Sequence, residues 1–153
     1  MPLRIYRRRL PHWRIEGATY FVTWRSHRGR CRLHPSERDL VVDVLRHFEK
    51  VRYELLGWVV MDDHIHVLVT PQPDWELGRI LHTWKSVSAY QLQRHHSRRG
   101  AIWQHDSHDR IVRNREELIQ KVTYIRRNPI VRWPGLDRYR WLWWDPAAYA
   151  SGE

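Results

Sequence analysis

Glu54-Leu55-Leu56-Gly57-Trp58-Val59-Val60-Met61-Asp62-Asp63-His64-Ile65-His66-Val67-Leu68-Val69-Thr70 is two apolar runs parted by a short acidic turn. Each run is too short for an ordinary helix and rich in Val, Leu and Trp, so the pair predicts a β-hairpin: strands Glu54–Val60 and His64–Thr70 around Met61-Asp62-Asp63, closed by Pro71 and Pro73. Upstream, Ala18, Tyr20, Val22 and Trp24 alternate with other residues and predict a strand, with the helical stripe Leu40, Val41, Val44, Leu45, Phe48, Val51 after it, opened by Ser36. Downstream, Asp74 opens a second helix with Leu77, Ile80, Leu81, Trp84 and Val87 on one side, ending near His96. Short strands are expected at Ile102-Trp103 and Ile111-Val112, and a third helix runs from the cap Asn114, with Glu117 completing a capping box, to Pro129. Strand, helix, strand, strand, helix, strand is the order of a ferredoxin-like α+β fold, an antiparallel sheet with helices packed on it, shared with RNA-recognition (RRM-like) modules. That order by itself selects no function.

The chain is 153 residues long, enough for one domain with its own core, and residues 1–153 are read as a single domain with a basic arm over about 1–15 and an aromatic tail over about 130–153. No apolar stretch reaches the length that crosses a bilayer, and no apolar region follows the basic start, so neither a membrane span nor a secretory signal is expected. The lone Cys31 leaves no disulfide framework or multi-cysteine zinc site and favours a reducing, cytoplasmic compartment.

The net charge of +10 arises from 24 Arg and 3 Lys against 17 acids. Guanidinium groups pair with phosphate in a fork and stack on bases, and ten Trp and seven Tyr add stacking surface, so the expected partner is nucleic acid. Residues 1–34 hold nine Arg and one acid. Within them Arg4, Arg7, Arg8, Arg9, Arg14 and Arg25 are candidate phosphate contacts, with Lys85, Arg113, Lys121, Arg126 and Arg127 further along the chain. The tail holds Trp133, Tyr139, Trp141, Trp143 and Trp144, either a stacking platform over DNA or rings packed back onto the body, the second being preferred because the segment is electrically neutral.

On a strand of period two, His64 and His66 share one face and Ile65, Val67 and Val69 the other. Two imidazoles side by side can ligate one divalent cation. With 11 His in the chain about one His-x-His pair arises by chance, and what singles this one out is its apolar strand, where two unpartnered imidazoles would be costly. On the third helix, Tyr124 falls away from the stripe Leu118, Ile119, Val122, Ile125, on the side of Glu117, Lys121 and Asn128. A phenol there is a presented nucleophile or simply a half-exposed ring; its ordinary pKa near 10 means that attack would need a polarised electrophile.

These segments resemble one family. Met61-Asp62-Asp63-His64-Ile65-His66-Val67-Leu68-Val69 resembles the histidine–hydrophobe–histidine (HUH) strand of single-tyrosine transposases. Tyr124-Ile125-Arg126-Arg127-Asn128-Pro129 resembles the Tyr-Ile-x-x-Asn-Pro helix end of their REP-associated branch, Gly17–Thr23 its first strand, and Ile102-Trp103-Gln104 with Asp109 and Arg113 the segment before the tyrosine helix. The resemblance implies a single-stranded DNA strand transferase of the HUH endonuclease type. His64, His66 and Asn128 would bind Mg²⁺ or Mn²⁺, and Tyr124 would form a 5′-phosphotyrosine. The substrate would be a palindromic hairpin with a short guide sequence, the protein a monomer or homodimer, and its place the nucleoid. A non-catalytic RRM-like binding module and a related HUH relaxase or nuclease are the competing readings. Many relatives carry Pro where this chain has Asp62, read here as a turn residue; Tyr90 is the rival nucleophile, and His105-Asp106-Ser107-His108-Asp109 is rich in possible ligands but expected in a loop.

Overall fold

A computed structural model describes residues 17–27 and 32–149. The basic arm with Arg4, Arg7, Arg8, Arg9 and Arg14 lies outside the described residues. The elements are β1 (Thr19–Ser26), α1 (Pro35–His47), β2 (Tyr53–Val60), β3 (His64–Pro71), α2 (Leu77–His95), β4 (Trp103–Val112), α3 (Arg115–Arg132), β5 (Leu142–Trp144) and α4 (Pro146–Tyr149). The sheet order β4-β1-β3-β2-β5 is the ferredoxin-like order extended by one strand, and all pairings are antiparallel. The expected α+β architecture is therefore observed.

Alternation along the strands divides the interior in two. Val22, Trp24, Ile65, Val67 and Val69 meet Val41, Leu45, Ile80 and Trp84 of α1 and α2 on one face. Phe21, Val59, Met61 and Leu68 meet Val122 and Ile125 of α3 on the other. Burying two such aliphatic side chains contributes about 1.5–3 kcal/mol each, so Val122 and Ile125, at most 6% exposed, dock the helix that carries Tyr124. The aromatic tail packs on the body: Leu142–Trp144 pairs with β2, Tyr139 donates its hydroxyl to the Val60 carbonyl (2.7 Å), and Tyr149 donates to that of Leu56 (2.8 Å).

Four expectations are corrected. The first helix is capped by His34, whose N–H donates to the Glu37 carboxylate (2.8 Å), with Pro35 in the first helical position in place of a Ser36 cap; Val51 lies beyond the helix end and is exposed. The second helix starts at Leu77, because Asp74 has a positive φ of 73° that no helix accepts. The two short strands are one ten-residue strand, β4. As an edge strand with much of its side-chain surface in water it needs no apolar alternation, so its polar middle reads like a loop. Finally, Pro129 does not stop the third helix, which continues to Arg132 with Pro129 buried inside it.

Candidate active site

The β2–β3 turn delivers His64 and His66 to the α3 face of the sheet, opposite Arg25 and Thr23 of β1. His66 is 3% exposed, its ring stacked on Phe21 at 5.2 Å and edge-on to His64 at 4.7 Å and Tyr124 at 5.2 Å. Burial, reinforced by the charges of His64, Arg25 and Lys121, pushes its pKa down to about 3, so the ring is neutral. Its Nδ1 lies 2.7 Å from Thr23 Oγ1. With the proton on Nδ1 donated to Thr23, the buried Nε2 keeps a lone pair and has no hydrogen-bond partner.

His64 is oriented from both sides. Its Nδ1 lies 2.7 Å from Asp63 Oδ1, and because a carboxylate only accepts, Nδ1 carries the proton. Burial works to raise the Asp63 pKa, but the hydrogen bond and charge of His64, with Arg32, hold it below its ordinary value. Nε2 of His64 then faces Asn128 Oδ1 at 2.9 Å. The Asn128 amide nitrogen donates to the Tyr124 carbonyl one turn back (3.1 Å), which sets the oxygen towards the histidine. Two lone pairs thus converge, an arrangement satisfied only by a positive centre between them, a proton on Nε2 or a cation. Donors sharing an octahedral cation at about 2.1 Å stand about 3 Å apart, so this pair suits one. One nitrogen from each imidazole and a carboxamide oxygen, with the His66 nitrogen buried and unpartnered, fit a divalent metal. Among the described residues no group of three or more His, Cys, Asp or Glu side chains assembles a site.

Tyr124 is half exposed, its ring edge-on to Phe21 and His66. It opens on a cavity of about 670 Å³ lined by Arg25, Asp63, His64, Arg127 and Asn128 among others. The structure therefore brings together Tyr124, His64, His66, Asn128, Arg25 and Arg127. Lys121 lies beside them, its ammonium 5.0 Å from the Phe21 ring centre. Arg126 stacks on Trp144 at 4.3 Å, and Arg113 pairs with Glu117 at 2.7 Å at the start of α3. Lys85 is elsewhere: it sits on α2, on the far face of the sheet, where its ammonium donates to the carbonyls of Gln104 (2.8 Å) and His105 (3.0 Å). His105 lines the groove beside α2, whereas His108 pairs with Thr23 and shares its face, so these imidazoles do not converge. Thr23 and Asp63, which orient the histidines, carry no such role in the sequence reading; Asp63 is adjacent to His64 in the chain, but Thr23 becomes the neighbour of His66 only through the strand register.

A family profile for IS200-like transposases matches residues 17–128, from just before β1 through Asn128. The chain belongs to the IS200-like transposase family. Among solved structures, this transposase is similar to a REP-associated tyrosine transposase bound to a REP hairpin, at 21% identity and a TM-score of 0.71, over 87% of this chain and 80% of that one. It is also similar to a protein of Deinococcus radiodurans described as a transposase, at 18% identity and a TM-score of 0.54, over 77% of this chain and 95% of that one. No curated protein matches it. The likenesses establish a shared fold, and the family match spans every residue of the Tyr124–His64–His66–Asn128 constellation. Among the described residues no helix of this transposase is long and apolar enough to cross a membrane.

Proposed function

We propose that this transposase nicks and rejoins single-stranded DNA beside palindromic hairpins through a covalent bond between Tyr124 and a 5′-phosphate, as in REP-associated tyrosine transposases. The observation that carries the reading is the meeting of Asn128 Oδ1 and His64 Nε2 at 2.9 Å, one helical turn beyond Tyr124. His64, His66 and Asn128 would hold Mg²⁺ or Mn²⁺, which when bound supplies Lewis-acid polarisation of the scissile phosphate. Arg25 and Arg127 line the same cavity and hold the phosphate by charge-assisted hydrogen bonds. The Tyr124 oxygen attacks phosphorus, forming a Tyr–O–P bond as the P–O3′ bond breaks. The phenol gives up its proton and the departing 3′-oxygen gains one. Attack by another 3′-hydroxyl reverses the step and seals a new strand, so the phosphodiester energy is conserved and no nucleotide is hydrolysed. Such an enzyme works at the nucleoid, in the cytoplasm, as a monomer or a homodimer, and its Arg-rich arm holds the DNA backbone.

The test is incubation of a labelled single-stranded hairpin from the neighbouring genome with Mn²⁺ and protein, followed by denaturing electrophoresis. Wild type and Tyr90→Phe form an SDS-stable adduct, and Tyr124→Phe forms neither adduct nor nick. Nicking that survives Tyr124→Phe would assign the attack to water and reduce the protein to a nuclease.

A further inference from the structure

Asp62 has no part in the chemistry above, yet it is the most unusual residue near the site. It sits in the tight β2–β3 turn, only 4% exposed, where an exposed turn residue would suffice for a hairpin. One carboxylate oxygen receives the Arg132 guanidinium at 2.9 Å, with Arg32 at 3.6 Å, while the other is buried without a hydrogen-bond partner. A buried charge so incompletely satisfied is costly, and its retention calls for a specific use.

Its partner lies at the weakest point of the tyrosine helix. Pro129 has no N–H to give to the Ile125 carbonyl, so the turn from Pro129 to Arg132 lacks the backbone bond that would continue the helix at full strength. Asn128 stands immediately before that break, with its oxygen at His64. Arg132, one turn beyond Asn128, reaches back across the break to the turn that launches the histidine strand. Arg32 also pairs with Asp63 (3.1 Å), the residue that orients His64.

We infer that Asp62 and Arg132 form a positioning clamp, in which an ion pair between the buried Asp62 carboxylate and the more exposed Arg132 guanidinium replaces the backbone bond lost at Pro129 and holds the end of the tyrosine helix against the histidine strand, keeping Asn128 in register with His64. Both are positioning residues, acting through Asn128. The cleavage arm of its test rests on the strand-transfer reading; the exchange arm does not.

The experiment compares Asp62→Asn, Arg132→Met, Arg132→Lys and the Asp62→Asn/Arg132→Met double variant with the full-length wild type. In metal-free protein, amide hydrogen exchange at Val131, Arg132 and Trp133 rises at least tenfold in Asp62→Asn and Arg132→Met, while exchange at Val122 and Ile125 stays as in wild type. Mn²⁺-dependent nicking of the hairpin falls at least tenfold in both, hairpin affinity in Asp62→Asn stays within twofold, the double variant is no worse than the singles, and Arg132→Lys recovers most of the rate. Asp62→Asn is the deciding variant because it leaves every cation in place. If it nicks and exchanges as wild type while Arg132→Met loses hairpin affinity, Arg132 is a DNA contact and the clamp is overturned. Faster exchange throughout α3 would equally overturn it, as general destabilisation. If wild type gives no adduct with any hairpin, the strand-transfer reading fails, and exchange in the last turn still decides the clamp.

Discussion

Oδ1 of Asn128 and Nε2 of His64 stand 2.9 Å apart, joining the end of α3 to the start of β3 at one point. The two residues are sixty-four positions apart in the chain. Everything proposed for the site depends on that junction, and its supports can be removed one at a time.

Asp63 holds the proton of His64 on Nδ1 and so presents Nε2. Replacing an outer carboxylate of this kind costs about 10–100-fold in metal affinity or activity. Asp63→Asn is expected to raise by that factor the Mn²⁺ concentration needed for half-maximal nicking. Hairpin binding without metal should be unchanged, as read by a gel-shift titration.

His66 supplies a pH dependence with a definite sign. Its folded-state pKa of about 3 lies below the ordinary 6.5, so under acid the unfolded chain binds a proton that the folded chain refuses. The stabilising difference is complete above about pH 6.5 and is lost progressively as the pH falls towards 3. Between pH 7 and pH 5 the loss from this one group is about 2 kcal/mol. Urea unfolding of metal-free protein at the two pH values should show that drop in wild type and a correspondingly smaller one in His66→Gln.

Glu37 ties the helices on the other face of the sheet. Its carboxylate, 1% exposed, takes two bonds of 2.6 Å from Arg98, which also donates to the Arg32 carbonyl at 2.9 Å. Burial acts to raise its pKa, but Arg98 and the His34 N–H hold it below the ordinary value. Glu37→Ala strands a largely buried guanidinium and should cost about 3–5 kcal/mol. Thermal unfolding would register this as a large fall in Tm, with no change in the metal requirement of the molecules that remain folded.

The Arg-rich start should contribute affinity without specificity. Deleting residues 1–14 removes five Arg, and each one that neutralised a phosphate should make the slope of log affinity against log salt shallower by about 0.7–0.9. Hairpin titrations at several salt concentrations measure it directly; an unchanged slope would mean that the arm does not touch DNA.

What the sequence determined by itself is whatever depends on local periodicity. The two-residue period of a strand sets His64 and His66 on one face and Ile65, Val67 and Val69 on the other, and the sheet keeps them there. The helical period sets Asn128 one turn beyond Tyr124, and Asn114 caps that helix as its side chain allows, accepting the Glu117 N–H at 2.9 Å. The hairpin, the first strand and the buried sides of the helices were legible for the same reason: apolar spacing in each segment states which side must be buried.

Tertiary structure alone decided the rest. That β4 is one continuous strand follows from its pairing with β1, which completes its backbone hydrogen bonds whatever its side chains are. That the third helix survives Pro129 follows from contacts outside it: a buried Pro129 and an Arg132 held by Asp62. Lys85, a plausible phosphate ligand by composition, is engaged by β4 carbonyls because α2 packs on the opposite face. Above all, nothing local brings Asn128 to His64. Periodicity orients a side chain about its own backbone axis, whereas the distance between two axes is set by how Val122 and Ile125 seat on Phe21 and Leu68, and only the packed core holds that information.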